Sequence, residues 1–338
     1  VFSILKSLKN KIAVVILNWN GRNLLEKFLP SVIEHSDSAN IYVADNSSTD
    51  DSVLFLQKNF PSVRIIQNTE NFGYAKGYNI ALKQVSEPYF VLLNSDVQVT
   101  PNWLKSVLEM FENESETAVF QPKILDYKNK KCFEYAGAAG GFIDKYGFPF
   151  CRGRIFSSIE KDNNQYDKVS EIFWASGACM FIRKEVFEKF NGFDQDFFAH
   201  QEEIDLCWRI QNEGFKVKYL PNSVVYHIGG ATLKENSPKK TFLNFRNSLY
   251  TLLKNRPKKG LIFTILIRLC LDGVAGIYFL FFGKPVHTYA IFRAHITFYI
   301  NLQKTLKKRS TNQKKEYYYI NSVVWDYYIK RNRKFVKK

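Results

Sequence analysis

Four apolar runs of strand length recur in the first hundred residues: IAVVIL (12–17), IYVA (41–44), VRII (63–66) and YFVLL (89–93). Each stops in a polar residue, namely Asn18, Asp45, Gln67-Asn68 and Asn94. Apolar runs of this kind are what strands buried on both faces require, and helix-like segments such as NLLEKFLPSVIEH and DSVLFLQKNF lie between them. The alternation restricts the chain to right-handed βα units around a mostly parallel sheet flanked by helices, an α/β fold. Open sheets of this class bind ligands beyond the carboxyl ends of their strands, which is where the polar residues fall.

The fourth run leads into Asn94-Ser95-Asp96 and then turns apolar again. A carboxylate at a strand end suits a divalent cation bridging the oxygens of a diphosphate, because hard cations combine few carboxylates with substrate phosphate. The competing role for Asp96 is to cap the turn before a helix opened by Thr100-Pro101. Asp45 has the same two readings, a hydrogen-bond acceptor for a base or ribose, or a cap within VADNSSTDDS. The stretch NTENFGYAKGYNIAL (68–82) places Gly73 and Gly77 at the start of a helix, whose first N–H groups suit an anion. It is neither the dinucleotide fingerprint nor a phosphate loop, which argues against NAD and ATP.

Later, GACMFIR (177–183) reads as a strand and KEVFEKF before Asn191-Gly192 as a short helix. EEIDLCWRIQNEG reads as a second helix and KVKYLPNSVVYHIGG as extended, while 126–170 is glycine-rich and reads as an irregular excursion. Glu202, Glu203 and Asp205 crowd the start of the second helix. Acids favour a helix N-terminus in any case, but three within four residues repel one another and raise a pKa towards general-base work. His227 is polar amid apolar neighbours, either a satisfied core histidine or a ligand.

Charge divides the chain. Residues 1–230 hold 25 Lys and Arg against 28 Asp and Glu, for a net −3, whereas residues 231–338 hold 23 against 4, for a net +19. The basic third also contains LIFTILIRLCLDGVAGIYFLFFG (261–283), apolar but carrying Arg268 and Asp272 four apart, on one helical face where they can pair. Its longest uncharged run is shorter than a spanning helix needs, so a membrane-lying or re-entrant segment flanked by Lys and Arg is expected, the competing reading being a helical hairpin packed on the globular domain or on a partner chain. VVWDYYIKRNRKFVKK adds aromatic and basic residues suited to an interface. The five scattered cysteines show no zinc spacing and read as free thiols in a reducing compartment. The opening VFSILKSLKN lacks the long apolar core of a secretory signal.

Five motifs in order, VVILNWNG, VADNSSTDDS, NTENFGYAKGYNIAL, VLLNSDV and GFDQDFFAHQEEIDLCWRI, resemble the family 2 glycosyltransferases, which use the GT-A fold. The resemblance covers about residues 10–255, and LNWN with LLNSDV looks most like the branch containing rhamnosyltransferases of bacterial surface polysaccharides. It implies a GT-A domain over 1–240, and the basic, apolar texture of 241–338 reads as a helical, membrane-associating extension. It further implies an inverting, metal-dependent hexosyl transfer from a nucleoside-diphosphate sugar to a glycan or lipid-linked acceptor. The place of action would be the cytoplasm, at the inner face of the cell membrane.

Carried over by position, the nucleotide-sugar residues are Asn18, Asp45, Asn71, Gly73, Asn79, Asn94, Ser95 and Asp96. Asp96 matches the last acid of the family's metal-binding D-x-D, whose first position here is Asn94, and His227 matches a histidine near the metal or diphosphate. The implied cofactor is Mg2+ or Mn2+. Glu202-Glu203 matches the family's Glu-Asp pair, whose second acid serves as base, and which of the two takes the proton stays open. Two other classes compete. A sugar-phosphate nucleotidyltransferase needs a glycine-rich basic loop that LNWNGRN matches poorly, and a basic nucleic-acid-binding protein leaves the strand-end acids unexplained, so no nucleic-acid partner is expected.

Overall fold

The computed structural model describes residues 11–229 and 237–336; the opening decapeptide, with its expected lack of a secretory signal, lies outside the described residues. The apolar runs form β1 (Ile12–Asn18), β2 (Ala39–Asp45), β3 (Arg64–Gln67) and β4 (Tyr89–Asn94). The helices between them are α1 (Arg22–Glu34), α2 (Ser52–Asn59) and α3 (Gly73–Leu82). Strand periodicity divides β1 between two cores. Ile12, Val14 and Ile16 pack with Leu25, Leu29 and Val32 of α1 and Leu56 of α2, whereas Ala13 and Val15 pack with Ala75, Tyr78 and Ala81 of α3. Apolar side chains are therefore required at every position of β1, and the run tolerates a polar residue only where it leaves the sheet.

The chain continues through β5 (Val97–Val99), α4 (Lys105–Asn113), β6 (Thr117–Asp126), β7 (Gly141–Ile143), β8 (Pro149–Cys151), β9 (Arg154–Ile155), β10 (Ser158–Ile159) and β11 (Ser170–Glu171). β12 (Cys179–Arg183), α5 (Lys184–Lys189), α6 (Glu202–Asn212) and β13 (Lys216–His227) complete the sheet region. The large sheet has the order β11-β13-β6-β12-β4-β1-β2-β3, with β5 paired to β13. β3, β2, β1 and β4 run parallel, as do β6 and β13, and β12 is antiparallel to both of its neighbours. The expected mixed α/β fold around a large, mostly parallel sheet is thus present.

Two local expectations change. Helix α4 begins at Lys105 rather than behind a Thr100 cap, because the Thr100 hydroxyl donates to the Val224 carbonyl (2.8 Å) and Asn102 takes a left-handed φ of 63°. The stretch 126–170 is more regular than its glycines suggested: β7–β10 form a four-stranded antiparallel sheet.

The basic third forms α7 (Pro238–Asn255), α8 (Leu261–Phe281), α9 (Pro285–Ile300) and α10 (Leu302–Lys307). Ser237 caps α7, accepting from the Lys240 N–H at 3.2 Å with Pro238 in the first turn. Gly260 at φ +72° makes the turn into α8. The tail returns to the sheet region, where Tyr317 stacks on Trp208 and the Val323 N–H donates to Asp144. Arg268 and Asp272 do pair, at 2.9 Å, and both are buried. Arg268 also donates to Ser248 Oγ (2.8 Å) and to the Gly147 carbonyl (3.2 Å), and His295 Nε2 lies 3.4 Å from Asp272.

Removing one member of such a pair strands a buried charge. Arg268→Met should lower unfolding free energy by about 3–5 kcal/mol, and adding Asp272→Leu should recover most of the loss. Denaturant melts of the two variants against the parent check this; equal stability of the single and double variants contradicts it.

Candidate active site

The parallel register sets the floor of the site. Asn18 lies opposite Asp45 and Leu17 opposite Asn94, so β1, β2 and β4 stop at one height. Beyond them opens a cleft of about 330 Å³, within the size range of small-molecule sites. Its wall includes Asn18, Asn71, Gly73, Asn94, Ser95 and Asp96 of the expected set. Glu202, Glu203 and His227 reach it from the second half of the sheet.

β13 brings His227 to Asp96. Its pairing with β5 sets His227 opposite Val97, one residue past Asp96, and the Ile228 N–H donates to the Asp96 carbonyl at 3.2 Å. His227 Nε2 stands 3.1 Å from Asp96 Oδ1, and Nδ1 stands 3.2 Å from Glu134 Oε1. All three side chains are buried. Burial alone would push the imidazole pKa down, but the two carboxylates outweigh it and raise it to about 10. Glu134 is held in turn by the Ala136 N–H at 2.6 Å. Nothing local in EYAGAAGG marks Glu134; its role depends on a residue 93 positions later.

The residues present fit a divalent cation of the kind bound through few protein ligands plus phosphate. Asp96 and His227 stand side by side on the cleft wall, and the pair would hold such a cation with the imidazole giving up its Nε2 proton. The described residues hold no cluster of three or more metal-ligating side chains, so remaining positions would fall to substrate oxygens and water.

Glu202 and Glu203 open α6 at the end of a strained loop in which Phe198, His200 and Gln201 have φ of 64°, 69° and 73°. One carboxylate oxygen of each, Oε2, is buried without a hydrogen-bond partner. Burial pushes the Glu203 pKa up to about 7, and burial together with the charge of Glu203 raises Glu202 well above the ordinary carboxylate range. Asp205 differs: although buried, it is held low by Lys254 and Arg209, with Lys254 Nζ at 2.8 Å from its Oδ2. The crowding of three acids thus resolves into one paired structural acid and two unpaired ones facing the cleft.

Helix α7 secures the loop. Asn247 Nδ2 lies within hydrogen-bond reach of the Phe197, Ala199 and His200 carbonyls (3.0, 3.0 and 2.7 Å), and Arg246 donates to the Asp196 and Phe197 carbonyls. Lys254 also bonds Asp194 at 2.7 Å. Asn247, Thr251, Lys254 and Asn255 are buried at helical spacing, forming a polar inner stripe. His200 lines the cleft too, its pKa lowered to about 4 by burial and by the Lys240 charge. Lys239 and Lys240, from the first turn of α7, share that wall.

Three expected features sit elsewhere. Asp45 lies behind Asn18 rather than on the wall, its carboxylate accepting from Asn18 Nδ2 (3.1 Å), the Ser48 N–H (2.9 Å) and Ser48 Oγ (2.6 Å). Asn79 does not line the cleft; its amide bonds the Phe193 backbone twice, at 2.7 and 2.9 Å, and so straps the base loop to α3. The first N–H groups of α3 are not open to an anion, because those of Tyr74 and Ala75 donate to the Phe198 carbonyl. Gly73 earns its place by fit instead: at φ +72°, a Cβ there would stand 2.7 Å from that same carbonyl oxygen.

Comparison with known proteins identifies the family and the fold. The model of the Glycosyl transferase family 2 matches residues 13–190. An N-acetylglucosaminyl-diphospho-decaprenol L-rhamnosyltransferase of Mycobacterium tuberculosis is 24% identical over 263 residues, covering 72% of this chain and 84% of the relative. The rhamnosyltransferase WbbL of Escherichia coli is 24% identical over 221 residues, covering 62% and 80%. Among solved structures, the mannosyltransferase PcManGT of Pyrobaculum calidifontis, in complex with GDP-Man and Mn2+, superposes with a TM-score of 0.53 at 14% identity, covering 86% of this chain and 87% of its own. GalNAc-T7 with UDP, GalNAc and Mn2+ superposes with a TM-score of 0.58 at 15% identity, covering 75% of this chain and 49% of its own. The sheet order, the strand-end cleft and the family match lead to one assignment: the chain belongs to glycosyl transferase family 2, is rhamnosyltransferase-like, and has the GT-A fold.

Proposed function

We propose that the protein catalyses inverting transfer of a hexosyl group from a nucleoside-diphosphate sugar to a hydroxyl of a glycan or lipid-linked acceptor, in bacterial cell-surface polysaccharide synthesis. The observation that carries this is the union, in one cleft, of the Asp96–His227 pair with the carboxylates of buried Glu202 and half-buried Glu203, each keeping one unpartnered oxygen. Glu203 accepts the proton of the acceptor hydroxyl as its oxygen attacks the anomeric carbon. The bond from that carbon to the diphosphate oxygen breaks on the opposite side, and its electrons leave with the nucleoside diphosphate. Burial and the neighbouring charge raise the proton affinity of Glu202 beside it, which favours ionisation of a single carboxylate of the pair.

Asp96 and His227 would hold Mg2+ or Mn2+, with Glu134 fixing the imidazole from behind. A divalent ion there supplies charge neutralisation to the departing diphosphate. Lys239 and Lys240 bring further positive charge to the cleft, suited to phosphate oxygens. Asn18, Asn71, Gly73, Asn94 and Ser95 form the floor on which the donor lies, with Asp45 and Asn79 acting from behind by positioning Asn18 and the base loop. The basic, apolar third brings this site to the cytoplasmic leaflet of the cell membrane. The two rhamnosyltransferase relatives favour this reading over nucleotidyl transfer or nucleic-acid binding.

Two sets of variants test the assignment. Glu203→Gln should reduce kcat by about 10²–10⁴-fold with an unchanged melting temperature. In the parent, kcat should rise with pH through about 7, because the base works only when ionised and burial has lifted its titration from the ordinary carboxylate range. Initial rates with radiolabelled donor across pH 5–9 give both readings; an acid limb centred in the ordinary carboxylate range, or a full-speed Gln variant, removes Glu203 from the role.

Asp96→Ala should lose several kcal/mol of leaving-group stabilisation, about 10²–10³-fold in kcat, and should weaken Mn2+ retention in the presence of nucleoside diphosphate. Electron paramagnetic resonance of free Mn2+ reads the second effect without any turnover. Normal Mn2+ retention and normal turnover would exclude the metal site.

A further inference from the structure

The α8–α9 hairpin presents an apolar face that no other described residue covers. Ile262, Phe263, Leu266, Val274, Ile277 and Phe281 of α8 are each more than half exposed, and Phe281 reaches 85%. Tyr289, Phe292, Tyr299 and Ile300 continue the face on α9. At 21 residues and a mean hydropathy of 1.9, α8 is long enough to cross a bilayer, at about 31 Å. Its middle cannot do so in this fold. Arg268 and Asp272 are buried against the protein, and Arg268 donates to the Gly147 carbonyl and to Ser248. With one side of its midpoint bonded to the glycosyltransferase domain, α8 has only its other side free for lipid.

Charge indicates what meets that side. Between residues 237 and 315 the only acid is Asp272, and it is buried. Lys258, Lys259, Lys284, Arg293 and Lys307 are exposed around the hairpin. An apolar face rimmed by cations, with aromatic rings along it, matches the interface of an anionic membrane.

The hairpin end also lies beside the cleft. Thr241 Oγ1 is 2.8 Å from His287 Nδ1, joining the start of α9 to the turn of α7 that carries Lys239 and Lys240.

We propose that the α8–α9 hairpin is an in-plane docking surface for an anionic lipid bilayer, with the active-site cleft opening at its rim. The proposal deepens, and rests on, the reading of the protein as a glycosyltransferase that acts at the membrane. A diphosphate at the headgroup level, carried by a lipid anchored in the same leaflet, then meets Lys239 and Lys240 without leaving the membrane.

Cys270 supplies a native probe, being the exposed cysteine on this face of α8 while Cys151, Cys179 and Cys207 are buried. In full-length Cys132→Ser protein, a polar maleimide should label Cys270 readily in buffer. Phosphatidylcholine vesicles containing phosphatidylglycerol should suppress that labelling, and pure phosphatidylcholine should do so far less. Phe281→Glu/Phe282→Glu should weaken co-sedimentation with the anionic vesicles by more than about tenfold. The same variant should keep its transfer rate to a water-soluble acceptor and its thermal shift with nucleoside diphosphate.

Unchanged vesicle binding by the double variant, or Cys270 labelled equally with and without vesicles, overturns the proposal. So does sedimentation analysis showing the face buried between two copies of the chain, with dimers that the double variant dissociates and no vesicle binding. Failure of the parent to transfer sugar to any acceptor while still binding vesicles would count against the function and leave the docking surface standing.

Discussion

β1 stops with Asn18 beside Asp45 and next to Asn94, and this shared height governs where chemistry can occur in the molecule. A strand buried on both faces has no place along its length for an unpaired polar side chain, whose burial costs on the order of 1–3 kcal/mol. Polar residues are therefore driven to the strand ends, and the parallel register collects the ends of three strands in one place. The antiparallel pairing of β5 with β13 adds His227 to the same edge from more than 120 residues away. The cleft is a consequence of packing before it is a feature of catalysis.

The second half of the site depends on a different kind of bond. The loop that presents Glu202 and Glu203 contains three non-glycine residues at positive φ, each costing on the order of 1–3 kcal/mol. Such a loop persists only if its surroundings over-determine it. The Asn247 amide nitrogen sits within reach of the Phe197, Ala199 and His200 carbonyls, Asn79 grips the Phe193 backbone just before the loop, and Lys254 joins Asp194 ahead of it to Asp205 behind it. Most of these partners come from α7, so the basic third of the chain holds the base in place as well as offering a surface for lipid.

The sequence made the sheet legible because burial on both faces leaves a continuous apolar pattern that needs no long-range information. Asn18, Asn94, Ser95 and Asp96 could be located for the same reason, as the first polar residues after such runs. His227 could be seen but not assigned, since its partners Asp96 and Glu134 are set by sheet pairing rather than by neighbours in the chain. Glu134 was invisible, a lone acid before a glycine-rich stretch. Asn79 and the α3 amides illustrate the opposite error: a motif beside the site was read as part of its wall, when its polar groups are used on the Phe193 and Phe198 backbone. The polar residues Asn247, Thr251, Lys254 and Asn255 recur at helical spacing, and only the tertiary contacts distinguish such an inward polar stripe from a solvated one.

The contrast between Asp205 and Glu203 shows how one helix start serves both stability and reactivity. Both carboxylates are withdrawn from water, and desolvation alone would raise both pKa values. Asp205 escapes because Lys254 and Arg209 face it, so it stays ionised and serves as an anchor. Glu203 has no cation beside it among the described residues and retains an unpartnered oxygen, so its affinity for a proton rises towards neutrality. A cation placed next to Glu203 would strengthen the fold locally and remove the basicity that the cleft supplies. Leaving that carboxylate unpaired is tolerable only because the loop is tied down by other residues, and those residues lie in the helix that begins at the mouth of the cleft and leads directly to the apolar hairpin.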